Sequence, residues 1–319
     1  MEFKQKTIGV LSSGGDAPGM NAAIRSVVRT ALNRNIRVLG IRRGYSGLLA
    51  RDMFEMNLRS VSDTLHRGGT ILYSARCPEF RDDKGVERGK EVCLEMGIDG
   101  LVVIGGDGSF RGARDLSLKG IPCIGIPGTI DNDIASSDYT VGFDTAVNTV
   151  MDMVDKLRDT SQSHDRCSIV EVMGRRCGDI ALHAGIACGA VAILVPEVPF
   201  SIDSIIEKMQ RTLRTGKKHF IIIVAEGVTS VGGVGTVHDI AEEIEARTGV
   251  ESRATVLGHV QRGGAPSARE RVLASEMGYH AVELLEQGIG NRVVVNHDNK
   301  IVDYDILEAL QMKKQFDRH

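Results

Sequence analysis

Residues 121–134 read IPCIGIPGTIDNDI, a short apolar run that ends in glycine and is followed by two aspartates. Such a run, rich in β-branched residues and bounded by turn residues, is typical of a strand buried on both faces. Comparable runs recur at 7–11, 36–41, 100–106, 122–128, 168–174, 192–197, 220–227 and 254–260. Amphipathic segments lie between most of them, as at 20–34, 143–160, 204–215 and 240–248. This alternation predicts an α/β fold of Rossmann-like, three-layer domains with mostly parallel sheets.

Length and composition narrow the class of protein. The chain has 319 residues, which predicts about two domains, and its formal net charge of −3 gives no reason to expect nucleic acid or an acidic membrane as partner. The six cysteines form no CxxC pair, which favours reduced thiols over zinc or disulfides. Because the N-terminus enters a strand-like run without a long apolar segment or cleavage site, we expect a cytoplasmic protein that does not insert into membranes.

Polar groups concentrate where the apolar runs end. Such ends occur at Gly14-Gly15-Asp16, Gly105-Gly106-Asp107-Gly108, Gly128-Thr129-Ile130-Asp131, Met173-Gly174-Arg175, Glu226-Gly227 and His259. In open α/β sheets, ligands bind beyond the carboxyl ends of the strands. We therefore expect the functional site at these ends.

Two glycine turns, LSSGGDAPGMNAAIR (11–25) and VVIGGDGSFRGA (102–113), each read as strand, turn and helix. Such turns can aim backbone N–H groups and a helix N-terminus at a phosphate, with Asp107 as a magnesium ligand and Ser109 as a cap or phosphate contact. Either run alone is compatible with a simple tight turn, whereas two together favour polyphosphate binding. Neither matches the Walker or GxGxxG spacing, which disfavours those folds.

The aspartates of GTIDNDI suggest phosphoryl transfer. If the segment is extended, Thr129, Asp131 and Asp133 share one side, while Ile130 and Asn132 face the other. That row would supply a hydroxyl donor, a proton acceptor and a metal ligand around an acceptor hydroxyl. The alternative is an Asx turn that caps the next helix. Nearby arginines flanked by glycine are candidate phosphate contacts, whereas we interpret Arg176 as a surface residue.

Six motifs together resemble the bacterial ATP-dependent 6-phosphofructokinases: GVLSSGGDAPGMNAAIR (9–25), HRGGTILYSARCPEF (66–80), VVIGGDGSFRGA, GTIDNDI, EVMGRRCGDIAL (171–182) and ATVLGHVQRGG (254–264). The similarity runs in order over nearly the whole chain. It implies the phosphofructokinase fold, a homotetramer, and transfer of the ATP γ-phosphoryl to the C1 hydroxyl of fructose 6-phosphate, the committing step of glycolysis. It further implies a larger ATP- and magnesium-binding domain (1–141 plus 258–306) and a smaller fructose-6-phosphate-binding domain (142–257 plus 307–319).

The resemblance also implies roles for individual residues. Asp131 corresponds to the base that accepts the hydroxyl proton, and Asp107 to the acid that binds Mg²⁺. Catalysis would involve Asp131, Arg76, Gly15, Thr129, Asp133 and Arg175. The nucleotide side would contain Gly15, Arg76, Cys77, Arg81, Gly106, Asp107, Gly108 and Ser109. The sugar-phosphate pocket would contain Thr129, Asp131, Asp133, Met173, Gly174, Arg175, Glu226, His259 and Arg262, with Arg166 and Arg253 reaching the 6-phosphate from a neighbouring subunit.

The family's effector site takes ADP as activator and phosphoenolpyruvate as inhibitor. The matching residues are Arg25, Arg29, Asp63, Arg158, Lys217, Lys218 and His219. Leu58 stands where an arginine is common, although Arg59 is adjacent, and Val191 replaces an acid linked to the ADP-bound cation. We therefore expect an anion-binding site with an altered magnesium–ADP response. The insertion at 230–235 and a shortened C-terminus after Ala309 are further departures.

Three alternatives remain open. A pyrophosphate-dependent phosphofructokinase is disfavoured because such relatives carry an acid in place of Gly108 and a lysine in place of Gly128. Another kinase with a GGDG motif has no reason to carry GTIDNDI together with HVQRGG. A catalytically silent sugar-phosphate sensor or regulatory subunit would be indicated by loss of Asp107 or Asp131, and both are present.

Overall fold

The computed structural model of the chain describes residues 5–231 and 235–314. Two compact units are found within them. Unit 1 contains the described residues up to Ile130, then Ile134–Thr145, then those from Arg262 onward. Unit 2 contains Asp131–Asp133 and the described part of Ala146–Gln261.

Strands and helices alternate along most of the described chain. The strands are β1 (Thr7–Ser13), β2 (Arg37–Ile41), β3 (Met53–Met56), β4 (Gly100–Gly105), β5 (Cys123–Pro127), β6 (Cys167–Val172), β7 (Ala192–Leu194), β8 (Phe220–Ala225), β9 (Ser252–Val256), β10 (Arg292–His297) and β11 (Lys300–Asp305). The helices are α1 (Met20–Asn33), α2 (Gly44–Ala50), α3 (Asp83–Glu95), α4 (Asp107–Leu118), α5 (Phe143–Ser163), α6 (Asp179–Ala187), α7 (Ile202–Leu213), α8 (Glu226–Val231), α9 (Val237–Thr248), α10 (Ala268–Glu286) and α11 (Ile306–Gln311). Short 3-10 helices span Leu58–Val61, Pro78–Arg81 and Gly258–Arg262.

Unit 1 is built on a sheet with the strand order β11-β10-β5-β4-β1-β2-β3. Its central strands are parallel, whereas β3 and β11 run antiparallel to their neighbours at the two edges. Strands β1, β4 and β5 are buried along their whole length, as continuous apolar runs require when helices cover both faces of a sheet. The carboxyl ends of β1, β4 and β5 therefore lie side by side, with Ser13 paired to Gly105 and Gly105 to Pro127.

Unit 2 is built on a parallel sheet with the strand order β7-β8-β6-β9. Its central strand β8 is fully buried, and helices α6, α7 and α9 carry apolar faces toward the core. Together the two sheets confirm the predicted α/β class with mostly parallel strands. In the described part of the chain, no helix is long and apolar enough to cross a membrane.

The C-terminal segment differs from expectation. Residues 307–314 belong to unit 1, whereas the sequence assigned 307–319 to the smaller domain. The reason is that α11 packs on α4, β10 and β11, where Ile306 and Ala309 are buried in the unit 1 core. Residues 315–319 lie outside the described residues.

The glycine-rich stretch at 229–236 is helical at its start. Helix α8 continues through Val231, and α9 begins at Val237. Residues 232–234 of the insertion at 230–235 lie outside the described residues.

Candidate active site

The first glycine turn of unit 1 follows β1. Gly14 has a φ of +90° and Gly19, the N-cap of α1, has a φ of +99°, a left-handed region that favours glycine. A Cβ on Gly15 would lie 2.7 Å from Arg262 Nη1, and that nitrogen donates to Asp16 O (3.1 Å). Arg262, predicted for the sugar-phosphate pocket, thus lies against the predicted phosphate turn.

The second glycine turn connects β4 to α4, with Gly106 as N-cap. The Ser109 hydroxyl donates to Ser13 O (3.1 Å), so it ties the second turn to the first and does not cap the helix. A Cβ on Gly108 would meet nothing within 4 Å, whereas one on Gly128 would lie 3.0 Å from both Ile104 and Met20. The turn therefore has open space beside Gly108 and none beside Gly128.

Asp107 begins α4 and is 49% exposed. Its Oδ2 accepts a hydrogen bond from Arg111 Nε (2.9 Å). Among the described residues, no group of three or more His, Cys, Asp or Glu could hold a metal ion. A single exposed carboxylate suits Mg²⁺, which keeps several waters and is usually bound by one or two carboxylates together with substrate phosphates.

The segment that carries Arg76 lies beside the first glycine turn. Ser74 Oγ donates to Gly14 O (2.5 Å), and Ser12 Oγ donates to Tyr73 O (2.9 Å). Arg76 itself is exposed. Of the other two residues predicted for the nucleotide side, Cys77 precedes the 3-10 helix Pro78–Arg81, and Arg81 ends it with an exposed side chain.

The GTIDNDI segment is not extended, so the predicted row of Thr129, Asp131 and Asp133 is wrong. Thr129 stays in unit 1, where its N–H donates to Val141 O (3.0 Å). Ile130 and Asp131 form a turn, and Asn132 adopts a left-handed φ of +51°. The Asx alternative fails as well, because the next helix begins only at Phe143. Asp131, Asn132 and Asp133 belong to unit 2.

Asp131 is 1% exposed, and its Oδ2 lies 3.1 Å from Arg175 Nε. Arg175 follows β6 with a φ of +56°, directly after Gly174 with a φ of +136°. Its side chain is 64% exposed, so this pair joins a buried carboxylate to a guanidinium that reaches solvent. A buried carboxylate needs such a partner because desolvation of an isolated charge costs several kcal/mol.

Side chains hold the turn that follows β6. Glu226 Oε1 accepts from the N–H groups of Gly174 (3.1 Å) and Arg175 (2.6 Å). The Met173 N–H donates to Oε1 of Gln261, which is fully buried. A cavity of about 470 Å³ opens here, lined by Glu171, Arg175, Arg176, Glu226 and Thr229. Arg176 is exposed, as expected of a surface residue, and it also lines this cavity.

Arg166 and Arg253 converge on one acid of unit 2. Arg166 Nε lies 2.8 Å from Glu251 Oε2, and Arg253 Nη2 donates to Glu251 Oε1. Arg166, and to a smaller extent Arg253, lower the pKa of Glu251. His259 is exposed on the 3-10 helix Gly258–Arg262. None of Arg166, Arg253 and His259 lines the cavity beside Glu226.

The predicted effector residues divide between the units. Arg25, Arg29 and Asp63 belong to unit 1, and Arg158, Lys217, Lys218 and His219 belong to unit 2. In unit 1, the 52%-exposed Leu58 shares with Arg29 the lining of a cavity of about 530 Å³. In unit 2, Arg158 donates to Cys188 O, and Lys218 Nζ lies 3.6 Å from Asp165. Val191, which replaces an acid, is partly buried.

Glu270 is a buried acid that sequence reasoning missed. It lies in the first turn of α10 and is 0% exposed. Its Oε2 accepts from the N–H and the hydroxyl of Thr145, each at 3.2 Å. Burial raises the pKa of Glu270 to about 7, although hydrogen bonds from Gly142 and Thr145 favour the carboxylate. Thr145 is the last residue of a unit 1 segment, so Glu270 anchors the end of that segment.

Sequence reasoning also missed Gln261 and Glu251. Gln261 lies inside the motif HVQRGG, between His259 and Arg262. Its place in that motif could have marked it as a functional residue. Glu251 precedes β9 without any local pattern that marks it.

Comparison with known proteins gives the family. The profile of the phosphofructokinase family matches residues 7–285. The chain is 58% identical to the ATP-dependent 6-phosphofructokinase of Clostridium tetani and 56% identical to that of Bacillus cytotoxicus, in both cases over 98% of this chain and 96% of the relative. A solved phosphofructokinase from Saccharomyces cerevisiae superposes with a TM-score of 0.89 at 36% identity, over 96% of this chain but only 45% of that longer chain. The chain therefore belongs to the phosphofructokinase family.

Proposed function

We propose that the chain transfers the γ-phosphoryl group of ATP to the C1 hydroxyl of fructose 6-phosphate, which gives fructose 1,6-bisphosphate and ADP. Its bacterial relatives named ATP-dependent 6-phosphofructokinase match almost end to end. The observation that carries the proposal in structural terms is Asp131, a buried carboxylate paired with Arg175 directly after the chain leaves the unit 1 sheet.

Unit 1 is the ATP-binding unit in this proposal. The turns at Gly14–Asp16 and Gly106–Ser109 supply backbone N–H groups at adjacent strand ends, and the exposed Arg76 lies beside the first turn. The open space at Gly108 leaves room for an α-phosphate, whereas the packing at Gly128 leaves no room for a lysine side chain. Both features favour ATP over pyrophosphate as donor.

Asp107 is the residue that would hold Mg²⁺ together with the nucleotide phosphates. The bound ion would neutralise charge on the phosphates during transfer. Because the Arg111–Asp107 pair is half exposed, a metal ion could take the place of Arg111 beside Asp107 at little cost in free energy.

Asp131 is the general base in this proposal, accepting the proton of the C1 hydroxyl. Arg175, together with Arg76 and the backbone at Gly15, stabilises charge on the transferring phosphoryl group, and Thr129 and Asp133 contact the reacting groups. Thr129 and Asp131 are two residues apart in the chain, so their Cα atoms lie within about 7 Å of one another.

Unit 2 is the sugar-phosphate unit. Its cavity of about 470 Å³ presents Arg175 and Glu226, which suits a ligand with both hydroxyl and phosphate groups. Met173 and Gly174 supply the turn that Glu226 and Gln261 hold. His259 completes the proposed set in unit 2, and Arg262, which belongs to unit 1, is proposed for the same substrate. We further propose that Arg166 and Arg253 bind the 6-phosphate of a neighbouring subunit's substrate, which requires a homotetramer.

Regulation and location are also part of the proposal. The residues Arg25, Arg29, Asp63, Arg158, Lys217, Lys218 and His219 would bind the phosphates of ADP or phosphoenolpyruvate. Because Leu58 stands in place of an arginine and Val191 in place of an acid, the set lacks one cation and one acid. The dependence of ADP activation on magnesium would therefore be altered. Six cysteines without a CxxC pair are typical of a cytoplasmic protein with reduced thiols.

The test is a coupled assay that detects fructose 1,6-bisphosphate, with ATP and pyrophosphate as donors in parallel and fructose 6-phosphate as acceptor. We expect turnover with ATP in the presence of Mg²⁺ and little with pyrophosphate. Turnover with pyrophosphate alone would overturn the choice of donor. Absence of product with either donor would overturn the proposed reaction.

A further inference from the structure

Asn132, between the two aspartates of the GTIDNDI segment, is fixed in unit 2 by a buried hydrogen bond. Its Nδ2 donates to Asp179 Oδ2 at 2.7 Å, and the two residues are 2% and 7% exposed. Hydrogen bonds that are buried away from water are among the stronger side-chain contacts of a protein. This contact is therefore strong enough to determine where the 131–133 segment sits on unit 2.

The backbone of Asn132 makes the contact dependent on this residue type. With a φ of +51°, position 132 is in the left-handed region, which asparagine tolerates better than most other residues. Its carbonyl oxygen faces the Cys177 thiol at 3.9 Å. Asn132 thus meets the turn before α6 through both its side chain and its backbone.

The turn that carries Asp179 is anchored without Asn132. Glu226 holds the N–H groups of Gly174 and Arg175 at its start, and Glu197 Oε1 accepts from the Gly178 N–H (2.8 Å) near its end. Asp179 then begins α6 on a base that is already fixed. A change at Asn132 or Asp179 should leave this turn, and the cavity beside Glu226, largely intact.

We propose that Asn132 and Asp179 act as a positioning pair that orients Asp131 toward the sugar hydroxyl. This inference rests on the proposed function, in which Asp131 is the base. Asp131 directly precedes Asn132 in the chain, and its carboxylate is already directed by Arg175. Arg175 constrains the tip of the side chain, whereas the Asn132–Asp179 bond constrains its backbone.

The simplest competing role for Asp179 is local. An acid in the first turn of a helix stabilises that helix through its dipole, and Asp179 occupies such a position in α6. In that case Asn132 would be irrelevant, and changes at the two sites would act independently. A double-mutant cycle separates the two roles, because only residues that act through one another are coupled.

The experiment measures kcat and the KM for fructose 6-phosphate in Asn132→Gly, Asp179→Ala, the double variant and Asp179→Asn. Asn132→Gly keeps the left-handed backbone accessible while removing the donor. We expect kcat to fall at least about tenfold in both single variants with KM within about threefold, since small misplacements of a reacting group are costly. The kcat of the double variant should be at least about half that of the slower single variant. The Asp179→Asn variant retains an acceptor oxygen, so its kcat should be close to that of the parent.

Two controls complete the design. Asp203→Ala removes an exposed acid from the first turn of α7, the counterpart of Asp179 in α6, and should leave kcat unchanged. Asp131→Ala tests the base itself. If Asp131→Ala is inactive while Asn132→Gly keeps parental kcat, or if the two single losses multiply, the positioning role is refuted and the base is not. If Asp131→Ala keeps parental kcat, the proposed base and this inference both fail.

Discussion

The glycine turns of unit 1 and the turn after β6 in unit 2 both follow the end of an apolar run, but they differ in exposure and in what contacts them. In unit 1, Gly14 and Gly15 are exposed, and the space beside Gly108 is open. In unit 2, the corresponding N–H groups of Gly174 and Arg175 already donate to the Glu226 carboxylate. An acid of the protein thus occupies the place that an external anion would take.

The difference shows that a glycine turn at a strand end is not by itself a phosphate site. Where a turn is exposed, as at Gly14 and Gly15 of unit 1, a polyphosphate can reach its backbone N–H groups. Where an internal carboxylate satisfies them, the turn is fixed in advance and presents side chains to the ligand. Substitutions at Gly108 and Glu226 test this contrast between an open turn and a filled one.

The largest effect should come from the acid in unit 2. Asp131→Ala removes the proposed base, whose contribution is typically about 10²–10⁴ in rate. We expect kcat to fall by at least about 10² while the KM values for both substrates stay within a few-fold, as measured by steady-state kinetics. Asp152→Ala, a change at an exposed acid on α5, is the matched control and should retain parental kcat. A parental rate in Asp131→Ala would contradict the role of base.

At the open turn we expect an added charge, and not an added methyl group, to reduce activity with ATP. Gly108→Asp places a carboxylate where the nucleotide phosphates would lie, and like charges brought together cost several kcal/mol. We expect kcat/KM for ATP to fall at least about 30-fold, with the KM for fructose 6-phosphate little changed. Gly108→Ala is the control, because a Cβ meets nothing within 4 Å and adds no charge. Equal losses in the two variants would mean that steric fit, and not charge, governs this turn.

A change in the filled turn should affect the other substrate, fructose 6-phosphate. Glu226→Ala leaves the N–H groups of Gly174 and Arg175 without their carboxylate, so the turn loses its fixed geometry. We expect the KM for fructose 6-phosphate to rise about tenfold, the loss of roughly one charged hydrogen bond, while the KM for ATP stays the same. Glu226→Gln, which keeps an acceptor oxygen, should show a smaller rise. A rise confined to the KM for ATP would contradict the assignment of substrates to the two units.

The smallest effect on turnover is expected at Glu270, where the measurable change is in stability. Burial raises the pKa of Glu270 from its ordinary value of 4.5 to about 7, so between these values the folded chain binds a proton that the unfolded chain has lost. The stability of the parent should therefore decline as pH rises from about 4.5 to about 7, by roughly 3 kcal/mol from this one group.

Glu270→Gln removes that titration. Melting temperatures measured from pH 5 to pH 8 should shift in favour of the variant as pH rises, with kcat at pH 8 within about twofold of the parent. Glu276→Gln, on the same helix, is the control and should follow the parent. Parallel pH curves for the parent and Glu270→Gln would show that Glu270 does not titrate in this range.

The sequence predicted the sheets better than their edges. Runs such as GLVVIGG and FIIIVAEG are apolar throughout because both faces of β4 and β8 are covered. The edge strands β3 and β11 read MFEM and KIVDYD and are only partly buried, so they lack that signal. Strand β10 is missed as well, because only three valines stand between polar residues.

The site was predictable in its residue types but not in its local geometry. Alternation placed Thr129, Asp131 and Asp133 on one side of an extended segment, but the turn at Ile130 and Asp131 and the left-handed backbone at Asn132 break that period. The bond that accompanies this conformation joins Asn132 to Asp179, 47 residues further along the chain. Spacing within a motif contains no information about such a contact, whereas the apolar period of a strand is local.

The segment Asp131–Asp133 belongs to unit 2 although the residues on either side of it belong to unit 1. This arrangement affects how the protein could be divided or recombined. A gene fragment that encodes 146–261 would supply the unit 2 sheet and Arg175 without the acid that Arg175 contacts. A fragment that encodes unit 1 as one continuous polypeptide would carry Asp131 in its chain but lose Arg175 and Asp179. A recombinant that keeps these contacts as they stand must therefore take residues 131–133 and the rest of unit 2 from the same parent.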